Sequence, residues 1–399
     1  MAQKIYRNST EVANVHGVPF HLDDIVEACL RGRLNLFLQG DTGSGKTQLA
    51  RDAMSYFGDK SIFLLGRNDM DTRELFQRIN LEKLRTASST AEVRELTDKI
   101  DSHLTVVDEM PNCVPAVRAQ LFNLFDGFIE LNGKAYPIGN GYSVGIATGN
   151  IGQKFTESSN ELGRALKDRM HVIIDVDYFT PSPSDTLEIL SGNTNPRVEF
   201  DVSYKDLSKG IIQKHEELAK KELPLDKVIL ANYLLHGLDY CSKGSKRKMK
   251  DAWPTELEVH EQKSDAGLVL PVSVRAAKSI ARLSQSLDEI AREKGAEKLD
   301  SFDSMMAAYK LVSAYSGVLN ESAIQEIYAG DRYKAMDQVI LATKGEFDRN
   351  SSNIAAGLEM AYAGKTDERI LSRFNDRWAF MQDTLRHLAE HYAGARKEK

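Results

Sequence analysis

The sequence predicts an α/β protein over its first half, a parallel sheet covered by helices on both faces, followed by a second half built from helices. Three observations carry this reading. Short apolar runs alternate with helical segments up to residue 176, the pattern of strands buried on both faces. A glycine-rich stretch, Gly40-Asp-Thr-Gly-Ser-Gly-Lys-Thr47, stands between an apolar run and a helix. After Thr180-Pro-Ser-Pro183 the strand-like runs stop.

In chain order, residues 1–33 read as a short lead-in and a helix at 22–30. Residues 34–39 form a buried strand and 48–57 a helix, with 61–65 a second strand. From 71 to 102 the pattern turns polar, charged and helical. Residues 103–109 make a third strand ending in two acids, 142–148 a fourth and 171–176 a fifth. Between the third and fourth, residues 128–138 alternate around Asn132-Gly133, a strong hairpin signal. Residues 184–320 read as helices broken by a polar loop at 243–265, and 321–399 as a further helical segment with a charged tail.

Composition narrows the class. With 399 residues, 42% hydrophobic and 28% charged, the chain is an ordinary globular sequence long enough for two or three domains. The apolar runs are too short to span a bilayer and the first residues lack a signal-peptide core, so no membrane association and a cytoplasmic location are expected. Cys29, Cys113 and Cys241 are scattered without metal-ligand spacing, which suits a reducing compartment. A net charge of −6 argues against coating nucleic acid over the whole surface.

The glycine-rich stretch fits G-x-x-x-x-G-K-[ST] at every fixed position. Its backbone N–H groups, from Gly40, Asp41, Thr42, Gly43, Ser44, Gly45, Lys46, Thr47 and Gln48, can face one anion, aided by the helix dipole. Lys46 would reach the β- and γ-phosphates and the Thr47 hydroxyl would hold Mg2+. This implies a nucleoside triphosphate ligand. No Asn-Lys-x-Asp guanine motif occurs, so ATP is preferred over GTP. Asp108 closes an apolar strand where an acid that helps hold Mg2+ belongs, and Glu109 beside it is placed to polarise a water.

These residues carry a resemblance. Asp108-Glu109, the hairpin at 128–138, Ile146-Ala-Thr-Gly-Asn150 and Leu162-Gly-Arg-Ala-Leu-Lys-Asp-Arg169 before a strand resemble AAA+ ATPases of the MoxR type. The likeness is good over about 14–180, fair to about 320 and absent beyond. It implies a five-stranded, three-layer AAA+ core at 1–179, a helical lid at 180–320 and a helical extension at 321–399. Asn150 matches sensor 1, on a strand between the phosphate-loop strand and the acidic strand, and orients the lytic water. Arg169 matches the arginine finger that reaches the neighbouring subunit's γ-phosphate, with Arg164 the competing choice. Arg275, in Leu270-Pro-Val-Ser-Val-Arg275, resembles sensor 2. Lys134 and Tyr136 near the hairpin tip become candidate substrate contacts, against a plain solvated hairpin.

The resemblance implies Mg2+-dependent ATP hydrolysis in a ring, expected to be a homo-hexamer, that remodels or activates a protein partner. That family's partners often carry a von Willebrand factor A domain. Two departures stand out: Pro111-Asn112 replaces the family's Asn-Arg dipeptide, and about 80–102 looks helical where the family has a hairpin insert. The alternative is a nucleic-acid ring motor, since MCM and McrB-type enzymes share the layout. The basic run Lys243-Gly-Ser-Lys-Arg-Lys-Met-Lys250 supports it, although such runs are usually solvated loops. His387-Leu-Ala-Glu-His391 matches H-x-x-E-H, but an amphipathic terminal helix explains it and no third ligand is evident.

Overall fold

The computed structural model describes residues 5–70, 75–79, 94–131, 133–150, 169–192, 195, 197–198, 207–238 and 265–397. They divide into two compact units, Met1–Glu222 with Arg282–Leu299, and Leu223–Ala281 with Asp300–Lys399.

The first unit opens with a feature the sequence reading missed. Residues expected as a bare lead-in form an antiparallel pair, β1 (Ala13–Val15) and β2 (Val18–Phe20). His16 and Gly17 between them both have positive φ, the two-residue hairpin turn that matches strand twist. Three-residue strands are too short for a period-two pattern to register. Helix α1 (Leu22–Gly32) follows, its start fixed by a capping box in which the His21 N–H donates to Asp24 Oδ2 at 2.8 Å.

Five parallel strands form the sheet in the order β11-β3-β10-β7-β4. They are β3 (Leu36–Gln39), β4 (Ser61–Leu65), β7 (Leu104–Asp108), β10 (Val144–Gly149) and β11 (Val172–Asp175). β3, β7 and β10 are buried at every residue, which explains their unbroken apolar character. Helix α2 (Lys46–Met54) packs on β7 and β10, and α3 (Pro115–Phe125) packs on β10. Gly145 makes that last approach possible, because a Cβ there would lie 2.1 Å from Phe125 Cδ1.

Two further antiparallel pairs project from this core. β8 (Phe128–Leu131) and β9 (Lys134–Pro137) form the expected hairpin. The other is a correction: within the polar stretch expected to be helical, β5 (Gln77–Ile79) pairs with β6 (Arg94–Leu96), and a 3-10 turn covers Asp98–Asp101. Charged residues throughout this stretch read as an exposed helix, and three-residue strands again leave no alternation to see.

Helices α4 (Pro183–Gly192) and α5 (Ser208–Lys220) follow in this unit, α5 packing on α1. The segment before β1 is strapped down at both ends: the Ile5 and Tyr6 N–H groups donate to Asp52 Oδ2 at 2.8 and 2.7 Å, and Ser9 donates twice to Asp185 Oδ2.

The second unit is helical. Helix α6 (Leu225–Asn232) runs into a π-helical turn at Tyr233–Gly237, and α7 (Asp265–Leu268) precedes α8 (Val274–Glu293), inside which the two units divide. Then come α9 (Ser301–Ser313), α10 (Glu321–Tyr328), α11 (Arg332–Tyr362), α12 (Glu368–Leu371) and α13 (Phe380–Lys397). Side chains of Asp300, Asn320, Asp331 and Asp367 accept N–H bonds at the starts of α9 to α12. Tyr233, Phe347 and Trp378 form an aromatic cluster, with ring centroids 4.9–5.2 Å apart. Gly357 lets α11 and α13 close, since a Cβ there would sit 2.6 Å from Leu385 Cδ1. On α13, Met381, Leu385 and Ala389 are buried while His387, Glu390 and His391 are exposed, an amphipathic helix. Among the described residues no helix is long and apolar enough to cross a membrane.

Candidate active site

The parallel sheet brings the C-terminal ends of β3, β7 and β10 side by side, and the predicted residues from 40 to 48, with Asp108, Glu109 and Asn150, lie at those ends. The loop after β3 turns through positive φ at Gly43 and Gly45, and Gly45 caps α2 in the left-handed conformation. Lys46, only 7% exposed, folds its ammonium back onto the loop. Its Nζ donates to the Gly40 and Asp41 carbonyls at 2.9 and 2.6 Å and to Ser44 Oγ at 3.2 Å. A buried cation needs such partners, and a polyphosphate would offer stronger ones. Burial pushes the Lys46 pKa down, opposed by the carboxylates of Asp177, Asp41, Asp108 and Asp175.

The loop is also tethered from β11. Asp177 Oδ2 accepts the Asp41 N–H at 2.5 Å, and a Cβ on Gly40 would meet Asp177 Oδ1 at 2.8 Å. On the helix side the Tyr6 ring lies so close to Gly45 that a Cβ there would be 2.7 Å from Cε2. Gln48 turns along α2 to donate to Asp52 Oδ1 at 2.9 Å.

Asp108, 8% exposed at the end of β7, gathers two hydroxyls on one oxygen. Thr47 Oγ1 donates to Oδ1 at 2.9 Å and Thr148 Oγ1 at 2.5 Å. One carboxylate beside a loop hydroxyl is the oxygen donor set that Mg2+ prefers, so Thr47 and Asp108 fit as its holders. Glu109 has φ 53, unusual for a residue with a side chain. Its exposed carboxylate accepts from Asn112 Nδ2 at 2.9 Å, and Asn150 Nδ2 reaches Thr42 Oγ1 at 3.3 Å. β10, which leads to Asn150, does lie between β3 and β7.

Arg169 stands apart from this gathering. It precedes β11, which runs parallel to β3 with Val172 opposite Leu36 and Asp175 opposite Gln39. Its carbonyl accepts from Asn35 at 3.0 Å, at the start of β3, whereas Lys46 lies beyond the end of that strand. A four-residue strand of about 3.3 Å per residue separates them by roughly 13 Å or more. Its guanidinium instead donates to Asp126 Oδ2 at 2.8 Å. Arg275 is exposed in the first turn of α8, within the second unit. On the hairpin, Lys134 is exposed and Tyr136, opposite Ile129, is half-buried. Arg164 and the basic run at 243–250 lie outside the described residues.

Sequence reasoning missed Thr148, Asp177 and Asn112. Thr148 carried a signal, being a hydroxyl in an otherwise apolar buried strand, two residues from Asn150 and so on the same face. The other two carried none.

Residues 35–170 match the model of the AAA domain (dynein-related subfamily). A crystal structure of a proposed ATPase from Cytophaga hutchinsonii superposes with a TM-score of 0.54 at 15% identity, covering 79% of this chain and 88% of that one. A full-length MCM homolog from Methanopyrus kandleri gives a TM-score of 0.44 at 15% identity, over 73% of this chain and 53% of that one, a likeness too slight to carry an argument. No curated protein sequence matches the chain. The fold is therefore that of an AAA-type α/β nucleotide-binding core followed by helices.

Proposed function

We propose that this AAA-domain protein is a Mg2+-dependent ATPase that works as a ring, most simply a homo-hexamer, and remodels or activates a protein partner as MoxR-type ATPases do. The observation that carries the ring is the separation of Arg169 from Lys46 across the length of the sheet. An arginine so placed cannot serve its own phosphate loop, but it can serve that of a second copy.

In this reading the loop amides and Lys46 bind the phosphates of ATP, while Thr47 and Asp108 hold Mg2+. The bound metal supplies charge neutralisation at the phosphate oxygens. Glu109 orients and polarises the attacking water, and Asn150 steadies it from the adjacent strand. Arg169 of a neighbouring copy neutralises charge on the equatorial oxygens, and Arg275 acts from the lid. The MoxR-like assignment draws support from two antiparallel pairs on the core, β5–β6 and β8–β9. They offer a surface for a protein partner, with von Willebrand factor A domain proteins the first class to try. A cytoplasmic location belongs to the same reading.

The deciding experiment is ATPase rate against protein concentration, for wild type, Glu109→Gln and Arg169→Ala. Specific activity should rise with assembly, each variant should be inactive, and an equal mixture should regain activity. An Arg169→Ala variant that hydrolyses normally, at a rate per molecule independent of concentration, would remove the shared site. Salt-sensitive stimulation by DNA or RNA would point to a nucleic-acid motor instead.

A further inference from the structure

We infer that Thr148 is the positioning residue that holds the two acids of this site in register, and this rests on reading the site as one for a metal–nucleotide complex. Thr148 is 1% exposed, and its hydroxyl donates to Asp108 Oδ1 at 2.5 Å and accepts the Glu109 N–H at 3.1 Å. One oxygen thus joins the side chain of the first acid to the backbone of the second. The chain runs Glu109 N–H to Thr148 O–H to Asp108 carboxylate, each bond polarising the next.

Thr47 also donates to Asp108 Oδ1, at 2.9 Å. The two threonines are not equivalent, however. Thr47 belongs to the phosphate loop and would also lend a lone pair to the metal, so its place answers to the loop and its ligand. Thr148 lies on β10, outside the loop, and its hydroxyl meets both acids and no loop residue among its hydrogen bonds here. Its bond to the Glu109 N–H also helps to hold the left-handed backbone of Glu109. Gly66 packs tightly on that backbone, and Gly149 on the Pro111 ring two residues further on. A Cβ on Gly66 would lie 2.5 Å from the Glu109 carbonyl oxygen, and one on Gly149 would lie 2.4 Å from Pro111 Cδ. A strained conformation persists only where its surroundings over-determine it, and the Thr148 bond is the side-chain part of that hold, beside the Asn112 N–H that donates to the Glu109 carbonyl at 3.0 Å.

Thr148→Val keeps the shape and removes the hydroxyl, while Thr148→Ser keeps the hydroxyl and removes the methyl. The first readout needs no nucleotide: residue-resolved hydrogen exchange on the full chain. The Glu109 amide should exchange about tenfold or more faster in Thr148→Val than in wild type, the loss of one hydrogen bond, and Thr148→Ser should restore protection. The second readout is ATP binding with EDTA and across a Mg2+ titration. Thr148→Val should raise the half-saturating Mg2+ concentration by about tenfold or more, as loss of a group that orients a metal ligand does, with affinity in EDTA within about twofold of wild type. Turnover should fall with the Mg2+ response and recover in Thr148→Ser.

Three results would overturn the inference. One is a wild-type Glu109 amide that exchanges as fast as an open loop, which needs no variant and so stands even if Thr148→Val fails to fold. Another is an unchanged Mg2+ response in Thr148→Val. The third is a Thr148→Ser variant as impaired as Thr148→Val, which would assign the role to packing. If wild type binds no ATP, the proposed function fails, but the exchange comparison still decides whether Thr148 holds Glu109.

Discussion

Arg169 Nε donates to Asp126 Oδ2 at 2.8 Å, and its guanidinium lies over the Phe122 ring at 4.9 Å. Both partners come from the C-terminal end of α3, where an acid is poorly placed against the helix dipole. Asp126 is thus explained by the arginine. On the proposed reading, in which Arg169 serves a neighbouring copy, this pair would aim it, so Asp126→Asn should leave ATP affinity unchanged and reduce turnover by up to about fivefold, the worth of a half-exposed pair. Steady-state kinetics separating kcat from KM check this.

The Lys46 ammonium is hydrogen-bonded to the Gly40 and Asp41 carbonyls at 2.9 and 2.6 Å. On the proposed reading those bonds exchange for phosphate. Lys46→Met should therefore weaken ATP binding roughly 100-fold, the scale of losing a charge-assisted contact. Calorimetric titration would measure it.

Gly40 and Asp177 are coupled by sterics. With Asp177 Oδ1 2.8 Å from where a Cβ would be, Gly40→Ala should destabilise the chain by about 1–3 kcal/mol. Adding Asp177→Ala should return part of that loss, although it also leaves the Asp41 N–H without its carboxylate. Thermal melting of the two single variants and the double variant yields the coupling, and strict additivity would contradict the contact.

Asp185 predicts a pH dependence. Hydrogen bonds from the Ser9 N–H and from Ser182 hold its carboxyl down to about 2, against an ordinary 3.8. A depressed acid stabilises the fold above its unfolded pKa and loses that contribution as pH falls through the folded one. Asp185→Asn should lower the melting temperature at pH 7, at a cost of about 1 kcal/mol for a cap of this kind. The gap between variant and wild type should narrow as pH falls from about 4 to 2.

The sequence alone determined what is local. The phosphate loop was legible because eight consecutive residues build it, Gly43 and Gly45 supplying the turns and Lys46 and Thr47 the chemistry. The five sheet strands were legible as short apolar runs, unbroken in β3, β7 and β10 because both faces are buried, and Asp108, Glu109 and Asn150 because each closes such a run. Where strands shrink to three residues, as in β1, β2, β5 and β6, the pattern has no length in which to repeat, and for β5 and β6 charge misdirected the reading toward helix.

Only the tertiary structure decided the rest. Asp177 meets Asp41 across 136 residues of chain and Thr148 meets Asp108 across 40, because parallel strands bring distant strand ends to one edge. No spacing rule links such positions. The same parallel arrangement sends Arg169 to the opposite edge, since it precedes a strand and the phosphate loop follows one. Residue types named the chemistry, and strand direction settled which residues could share it.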